Sequence, residues 1–137
     1  MINSPYDKYR QSSVQTSTPA QLVIMLYDGA IRFIRAGLDG LKKNDLEKTN
    51  TNLGKAQTIV SELMSTLDRS YEVSEGLYSL YEYTSFLLVE ANIRKDAVKA
   101  EEAVGYLTEL RETWLQASKI ATGQGGQSPL PTESSHG

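Results

Sequence analysis

Apolar residues recur at helical spacing along most of the chain, in four segments that are separated by short polar stretches. In the second segment, the apolar positions from Leu46 to Leu67 fall on one stripe when successive residues are rotated by about 100°. The fourth segment repeats this pattern from Ala100 to Trp114. Short turns between such segments favour antiparallel neighbours. The pattern predicts an all-α fold, an antiparallel up-and-down four-helix bundle.

Capping residues indicate where the helices begin and end. The sequence Thr18-Pro19-Ala20-Gln21 places a hydroxyl N-cap before a proline, with a glutamine three residues after the cap, which predicts the start of the first helix. Two lysines and an asparagine at positions 42–44 predict its end. The predicted N-caps of the second, third and fourth helices are Asn44, Ser74 and Asp96.

Polar segments flank the predicted bundle. Residues 1–17 are rich in serine, threonine and glutamine and have no helical period, which predicts an N-terminal arm. Residues 123–137 consist mainly of glycine, serine, proline and other polar residues, and this composition cannot bury enough apolar surface to become ordered. The sequence therefore predicts a single folded domain, the bundle at 18–122, between an arm and a disordered tail.

The first and third helices carry more apolar residues than one core-facing stripe requires. From Leu22 to Leu41 the apolar positions cover roughly 260° of the helical wheel, and in the third helix they spread nearly all round. Core packing alone explains this if both helices are sandwiched between neighbours. Because every helix of a four-helix bundle also has an outer side, the surplus equally fits a groove that is filled by the arm, a partner or a second copy.

Tyrosine is unusually frequent, with eight residues in 137 and three of them, Tyr78, Tyr81 and Tyr83, close together. A tyrosine ring has an apolar body and a polar tip, which suits a surface that is alternately covered and wet. Packing at the boundary of the core, with the hydroxyl in solvent, explains any single one of them equally well.

Charge and hydropathy exclude several classes of partner. The net charge is −3, and no window is dense enough in lysine and arginine to suit a phosphate backbone, so we expect no nucleic acid partner. The longest apolar-rich stretch, at 22–34, is too short and too interrupted to cross a bilayer, and the first residues lack the apolar core of a signal peptide. These features predict a cytoplasmic protein without direct membrane insertion.

Residues for catalysis and metal binding are missing from the predicted bundle. The only histidine, His136, lies in the predicted tail, and there is no cysteine, so neither a Glu-x-x-His metal site nor a nucleophile and base pair can form. The segment Gly37-Leu38-Asp39-Gly40 lacks the lysine of a phosphate-binding loop. The sequence predicts a protein that binds another protein, with no enzymatic activity, no metal and no cofactor.

Several short segments match a known family pattern. They are Pro5-Tyr6-x-x-Tyr9, Val14-x-Thr16-x-Thr18-Pro19-x-x-Leu22, Met25-Leu26-Tyr27-Asp28-Gly29-Ala30, Asn52-Leu53-x-Lys55-Ala56-Gln57-x-Ile59 and Leu88-Val89-Glu90-Ala91-Asn92-Ile93-x-x-Asp96. In these segments the chain resembles the FliS family of flagellin-specific export chaperones.

The resemblance implies a cytosolic chaperone that holds the C-terminal segment of flagellin, prevents its premature polymerisation and delivers it to the export gate. Flagellin's terminal segments are disordered in the monomer and helical in the filament, so a grooved bundle can supply the apolar surface that they lack. We expect the groove on the outer apolar surfaces of the second to fourth helices. The predicted flagellin-binding residues are Ile59, Leu63, Tyr81 and Leu88.

The same resemblance assigns a role to the arm. It implies that Tyr6 and Tyr9 cover part of the empty groove and dock on the cytoplasmic domain of the export gate protein FlhA once flagellin displaces them. The alternative prediction is a structural or scaffolding bundle whose surplus apolar surface makes a homo-oligomer. A homodimer of the unloaded chaperone is a related expectation.

Overall fold

The structure is a computed structural model that describes residues 19–123, with side chains described as far as Ile120. Its four helices are α1 (Pro19–Lys42), α2 (Leu46–Thr66), α3 (Val73–Arg94) and α4 (Ala97–Gly123), and the described residues contain no strand. α1 and α3 each pack against both α2 and α4. The predicted antiparallel four-helix bundle is confirmed. The predicted arm lies outside the described residues, as does the predicted tail apart from Gly123, where α4 ends.

The core is filled from all four helices. Fully buried apolar side chains include Leu26, Leu53, Leu87 and Leu107, one from each helix. α1 has no exposed large apolar side chain among its described residues, so its apolar positions are buried or half-buried. α3 is different, because several of its large apolar side chains reach the surface.

One asparagine ends α1, and the aspartate after it begins α2. Asn44 adopts the left-handed conformation, with φ of 57°, and its N–H donates to the carbonyl of Leu41 at 3.2 Å. Asp45 donates its N–H to the carbonyl of Gly40 at 2.7 Å, and its side chain accepts from the N–H of Lys48. The predicted N-cap at Asn44 is therefore wrong by one residue, because a left-handed residue cannot also supply the extended N-cap conformation.

The other two predicted caps have opposite outcomes. Asp96 caps α4, since its carboxylate accepts from the N–H of Val98 at 2.9 Å, as predicted. The prediction for Ser74 is wrong: α3 begins at Val73, and Ser74 is buried in its first turn. Its hydroxyl donates to the carbonyl of Asp68, so it ties the preceding loop to the helix instead of capping the helix.

α1 and α2 approach each other closely at two glycines. A Cβ atom on Gly40 would lie 2.6 Å from the hydroxyl of Thr49 and 2.8 Å from its backbone nitrogen, and one on Gly37 would lie 2.7 Å from Leu53. The buried Thr49 hydroxyl is 3.3 Å from the carbonyl oxygen of Gly37 and 3.0 Å from that of Asp45, both of them acceptors. These two glycines let the helices touch near their shared turn.

A pair of tyrosines spans the centre of the bundle. Tyr27 on α1 and Tyr81 on α3 are buried and share a hydrogen bond between their hydroxyls, with ring centroids 6.4 Å apart. The indole N–H of the buried Trp114 meets no acceptor at hydrogen-bond geometry in the described part of the chain. Burial is the main cause that raises the pKa of Tyr27 well above 10.0 and that of Tyr81 to about 12, and the nearby indole N–H acts in the opposite direction on both phenols.

We expect the two hydroxyls to be coupled in stability. Tyr27→Phe leaves the Tyr81 hydroxyl buried without its partner and should lower the free energy of unfolding by about 1 to 3 kcal/mol. Tyr27→Phe combined with Tyr81→Phe removes both hydroxyls and should cost less than the sum of the single changes. Urea denaturation of the four proteins measures this coupling. Additive single effects would contradict it.

The same pair makes a prediction about pH. The folded protein keeps both phenols protonated to higher pH than the unfolded chain does, so the unfolded chain binds fewer protons above about pH 10. The free energy of unfolding should therefore decrease from about pH 10 towards about pH 12. The doubly substituted phenylalanine protein is the reference and should show a shallower decrease over this interval. Equal slopes would rule out the assignment to this pair.

Candidate functional site: an aromatic surface on α3 and α4

The four predicted flagellin-binding residues lie in the core. Ile59 and Leu88 are 0% exposed, and Leu63 and Tyr81 are 1% exposed. Their placement on an outer face was therefore wrong. For Tyr81 and Leu88 the physical reason is that α3 is apolar nearly all round, so periodicity does not fix which side faces inward. On α2, Ile59 and Leu63 belong to the apolar stripe that packs in the core.

Large apolar side chains that do face solvent cluster on α3 and α4. Tyr83 is 43% exposed and Phe86 is 52% exposed, and their rings stack with centroids 6.2 Å apart and planes inclined by 21°. On α4, the half-buried Tyr106 packs against Tyr83 with ring centroids 6.1 Å apart. We name Tyr83, Phe86 and Tyr106 the aromatic surface.

A single carboxylate joins the two tyrosines of this surface. One oxygen of Glu102 accepts hydrogen bonds from the hydroxyl of Tyr83 at 3.1 Å and from that of Tyr106 at 3.0 Å. The hydrogen bond to Glu102 is the main cause that raises the pKa of both tyrosines above 10.0. Both phenols therefore stay neutral at physiological pH, and the negative charge lies at the edge of the aromatic rings.

Further apolar side chains extend this side of the molecule. Ile93 follows Phe86 by two helical turns on α3 and is exposed, as is Val98 at the start of α4. Among the neighbouring helix pairs, α3 and α4 pack least extensively. Exposed aromatic rings with a polar edge are typical of a surface that binds another protein.

Sequence reasoning identified part of this surface. The sequence singles out Tyr83 as one of three clustered tyrosines, and among the three it alone is exposed. Tyr81 is buried, and Tyr78 lies under the guanidinium of Arg69 at 4.0 Å. Phe86 and Tyr106 were missed as surface residues. The available signal was the spacing of Phe86 and Ile93 on the side of α3 opposite Thr84 and Leu88.

Metal binding and membrane insertion find no support in the described part of the chain. No cluster of acidic or histidine side chains that could hold a metal ion occurs within residues 19–120. None of the described helices is long and apolar enough to cross a membrane. The ion pair between Asp28 on α1 and Arg111 on α4 is partly buried and joins two helices, which is a structural role.

Similar proteins are known, and they show the family to which the chain belongs. The family model for the flagellar protein FliS matches residues 1–121. The flagellar secretion chaperone FliS of Bacillus subtilis is 43% identical over 116 residues, which cover 85% of this chain and 87% of that protein. Its counterpart in Salmonella typhimurium is 36% identical over 118 residues, which cover 83% of this chain and 87% of that protein. The counterpart in Campylobacter jejuni is 29% identical over 122 residues, which cover 88% of this chain and 95% of that protein. The chain belongs to the FliS family of flagellar secretion chaperones, which are not enzymes.

Proposed function

We propose that this protein is a cytosolic export chaperone that binds the C-terminal segment of flagellin on its aromatic surface and prevents premature polymerisation. The observation that carries the proposal is the exposed, stacked pair of Tyr83 and Phe86 in a chain of the FliS family. Contiguous exposed apolar side chains on a folded protein often mark a site that binds a partner.

The surface has the features that a disordered apolar segment needs in a partner. The rings of Tyr83 and Phe86 offer a rigid apolar platform, and covering them removes apolar area from water. At the edge, the carboxylate of Glu102 and the tyrosine hydroxyls can exchange hydrogen bonds with the polar groups of the segment. An amphipathic helix laid along α3 and α4 satisfies both requirements.

The four residues that were predicted to bind flagellin lie in the core and help to position the helices that carry the aromatic surface. Tyr81 and Leu88 point into the core and thereby fix the rotation of α3, so that Tyr83 and Phe86 point outward. Ile59 and Leu63 belong to α2, which packs against α3. Direct contact between flagellin and any of the four would require the helices to separate, and the proposal does not need it.

A structural bundle that pairs with itself is the alternative, because the same exposed rings can be covered by a second copy. Light scattering of the protein, alone and with a C-terminal flagellin peptide, distinguishes the two. We expect a complex of one chain and one peptide, with any unloaded dimer dissociated by the peptide. A concentration-dependent oligomer that ignores the peptide would support the scaffold and would refute the chaperone.

Delivery to the export gate is the second half of the proposal. We assign docking on the cytoplasmic domain of FlhA to the arm, with Tyr6 and Tyr9, on the strength of the family resemblance; both tyrosines lie outside the described residues. Deleting residues 2–15 should leave flagellin binding equal or improved and should weaken docking of the loaded complex to FlhA. Unchanged docking would remove this role from the arm.

A further inference from the structure

A cavity of about 740 Å³ lies at the end of the bundle where the α1–α2 and α3–α4 turns meet. Its apolar wall comes from Leu38, Leu41, Leu46 and Ala97. Its polar lining consists of Arg35, Asp39, Lys42, Asn44, Lys95 and Glu101. We name it the end pocket.

The cations of the end pocket lack carboxylate partners within the described chain, while its aspartate is already neutralised. The carboxylate of Asp39 is 2.6 Å from the ammonium of Lys48 and 3.2 Å from that of Lys43, and these contacts lower its pKa. Among the described residues, the ammonium of Lys95 donates only to the uncharged side-chain oxygens of Asn50 and Asn92, so its charge is not compensated.

Arg35 and Lys42 are the remaining cations of the pocket. Both are exposed, and among residues 19–120 neither forms an ion pair with a carboxylate. Of the pocket's carboxylates only that of Glu101 also lacks a cationic partner within this part of the chain. The pocket therefore presents three uncompensated positive charges against one negative charge.

The surroundings of the pocket differ in charge from the rest of the molecule. Residues 35–48 and 94–101 together contain seven of the 14 lysines and arginines but only five of the 17 aspartates and glutamates. The chain as a whole has a net charge of −3, so this end is positive in an otherwise acidic protein. Such a contrast attracts acidic partners and orients their approach.

We propose that the end pocket binds an acidic peptide segment of another protein, in which carboxylates flank an apolar anchor. The leucine wall accepts the anchor, and the guanidinium of Arg35 can hold a carboxylate through two parallel hydrogen bonds. The ammonium groups of Lys42 and Lys95 accept further carboxylates as point charges.

A docked acidic segment leaves the aromatic surface free. The pocket is bounded by α1 and the beginning of α4 together with the two turns, whereas Tyr83, Phe86 and Tyr106 occupy the shared outer side of α3 and α4. The inference is independent of the proposed function, because it needs only the charges and apolar wall of the pocket.

The test uses a fluorescein-labelled peptide of alternating glutamate and leucine, titrated with the full chain at low salt and followed by fluorescence anisotropy. We expect saturable binding that weakens with salt, and a reference peptide with glutamine in place of glutamate should bind at least about tenfold more weakly. Arg35→Gln combined with Lys42→Gln should weaken binding about tenfold. The matched control, Lys55→Gln with Lys119→Gln, removes the same charge outside the pocket and its positive surroundings and should have little effect.

A second pair of variants tests the apolar wall. Leu46→Ala should weaken binding several-fold, whereas Val98→Ala, an exposed apolar residue outside the pocket lining, should not. The absence of saturable binding up to about 1 mM protein would overturn the proposal. Equal binding of both peptides, or equal losses in the variants and their controls, overturns it as well. Competition by a flagellin peptide would contradict the separation of the two surfaces.

Discussion

Substituting alanine for Gly40 is expected to lower the free energy of unfolding by about 2 kcal/mol. The new methyl group would lie 2.8 Å from the backbone nitrogen of Thr49 and 3.0 Å from the carbonyl oxygen of Asp45. Because these are backbone atoms of α2 and its turn, no side-chain rotation relieves the contact, and the two helices must move apart. Overpacking of this kind costs about 1 to 3 kcal/mol, and the better helix propensity of alanine offsets at most about 1 kcal/mol.

Gly54→Ala and Gly105→Ala provide matched controls. Both glycines lie inside helices, and apart from the chain neighbours and the backbone of the same helix no atom lies within 4 Å of the position where their Cβ would be added. Alanine should therefore raise the free energy of unfolding there, by up to about 1 kcal/mol. Urea denaturation of the three variants compares the effects directly. If Gly40→Ala were as stable as the controls, the close approach of α1 and α2 would be refuted.

Replacing Phe86 by aspartate should reduce the affinity for the C-terminal segment of flagellin about thirtyfold, or by about 2 kcal/mol. The substitution places a charge where the proposed complex excludes water, and it also removes the ring that stacks on Tyr83. Since the ring is 52% exposed in the free protein, the fold should be affected far less than binding. Calorimetric titration measures the affinity, and a thermal melt confirms the fold.

Ile120→Asp is the control for this prediction. Ile120 is 53% exposed, which matches Phe86, but it lies near the other end of α4, away from the aromatic surface. It should leave flagellin binding nearly unchanged. Equal affinity of the Phe86 variant and the wild type would place the binding site elsewhere, and equal losses in both variants would indicate a general effect of charge.

Helix boundaries were predictable from local chemistry in some places and not in others. Asp96 was predictable as an N-cap because it lies directly between the end of one apolar helical pattern and the start of the next. At the first turn the predicted cap, Asn44, was wrong, because its left-handed conformation leaves Asp45 as the N-cap of α2. Ser74 was misjudged because its hydroxyl bonds to a loop carbonyl whose position depends on tertiary structure.

The inward and outward sides of α3 could not be predicted from its sequence. Tyr81 and Tyr83 are two residues apart and chemically identical, yet one is buried against Tyr27 and the other is exposed. An apolar stripe fixes the rotation of a helix only when polar residues occupy the opposite side, and α3 carries Phe86 and Ile93 there. The same lack of polar residues that left the orientation of α3 undetermined also leaves aromatic side chains exposed on its outer side.

The role of Gly37 and Gly40 was also missed. Their spacing was tested only against a phosphate-binding loop, which it does not match. Both glycines face α2, and the neighbours that would collide with a side chain, Thr49 and Leu53, come from another helix. Contacts between helices are set by packing, so the sequence alone gave no reason to prefer glycine at either position.

The most direct test of the chaperone account is a calorimetric titration of the wild-type protein with the C-terminal segment of flagellin at several temperatures. The account predicts saturable binding of one segment per chain, with a binding enthalpy that becomes more negative as temperature rises because apolar surface is buried. A titration without saturable heat at any temperature, for a protein that is folded by circular dichroism, would contradict it.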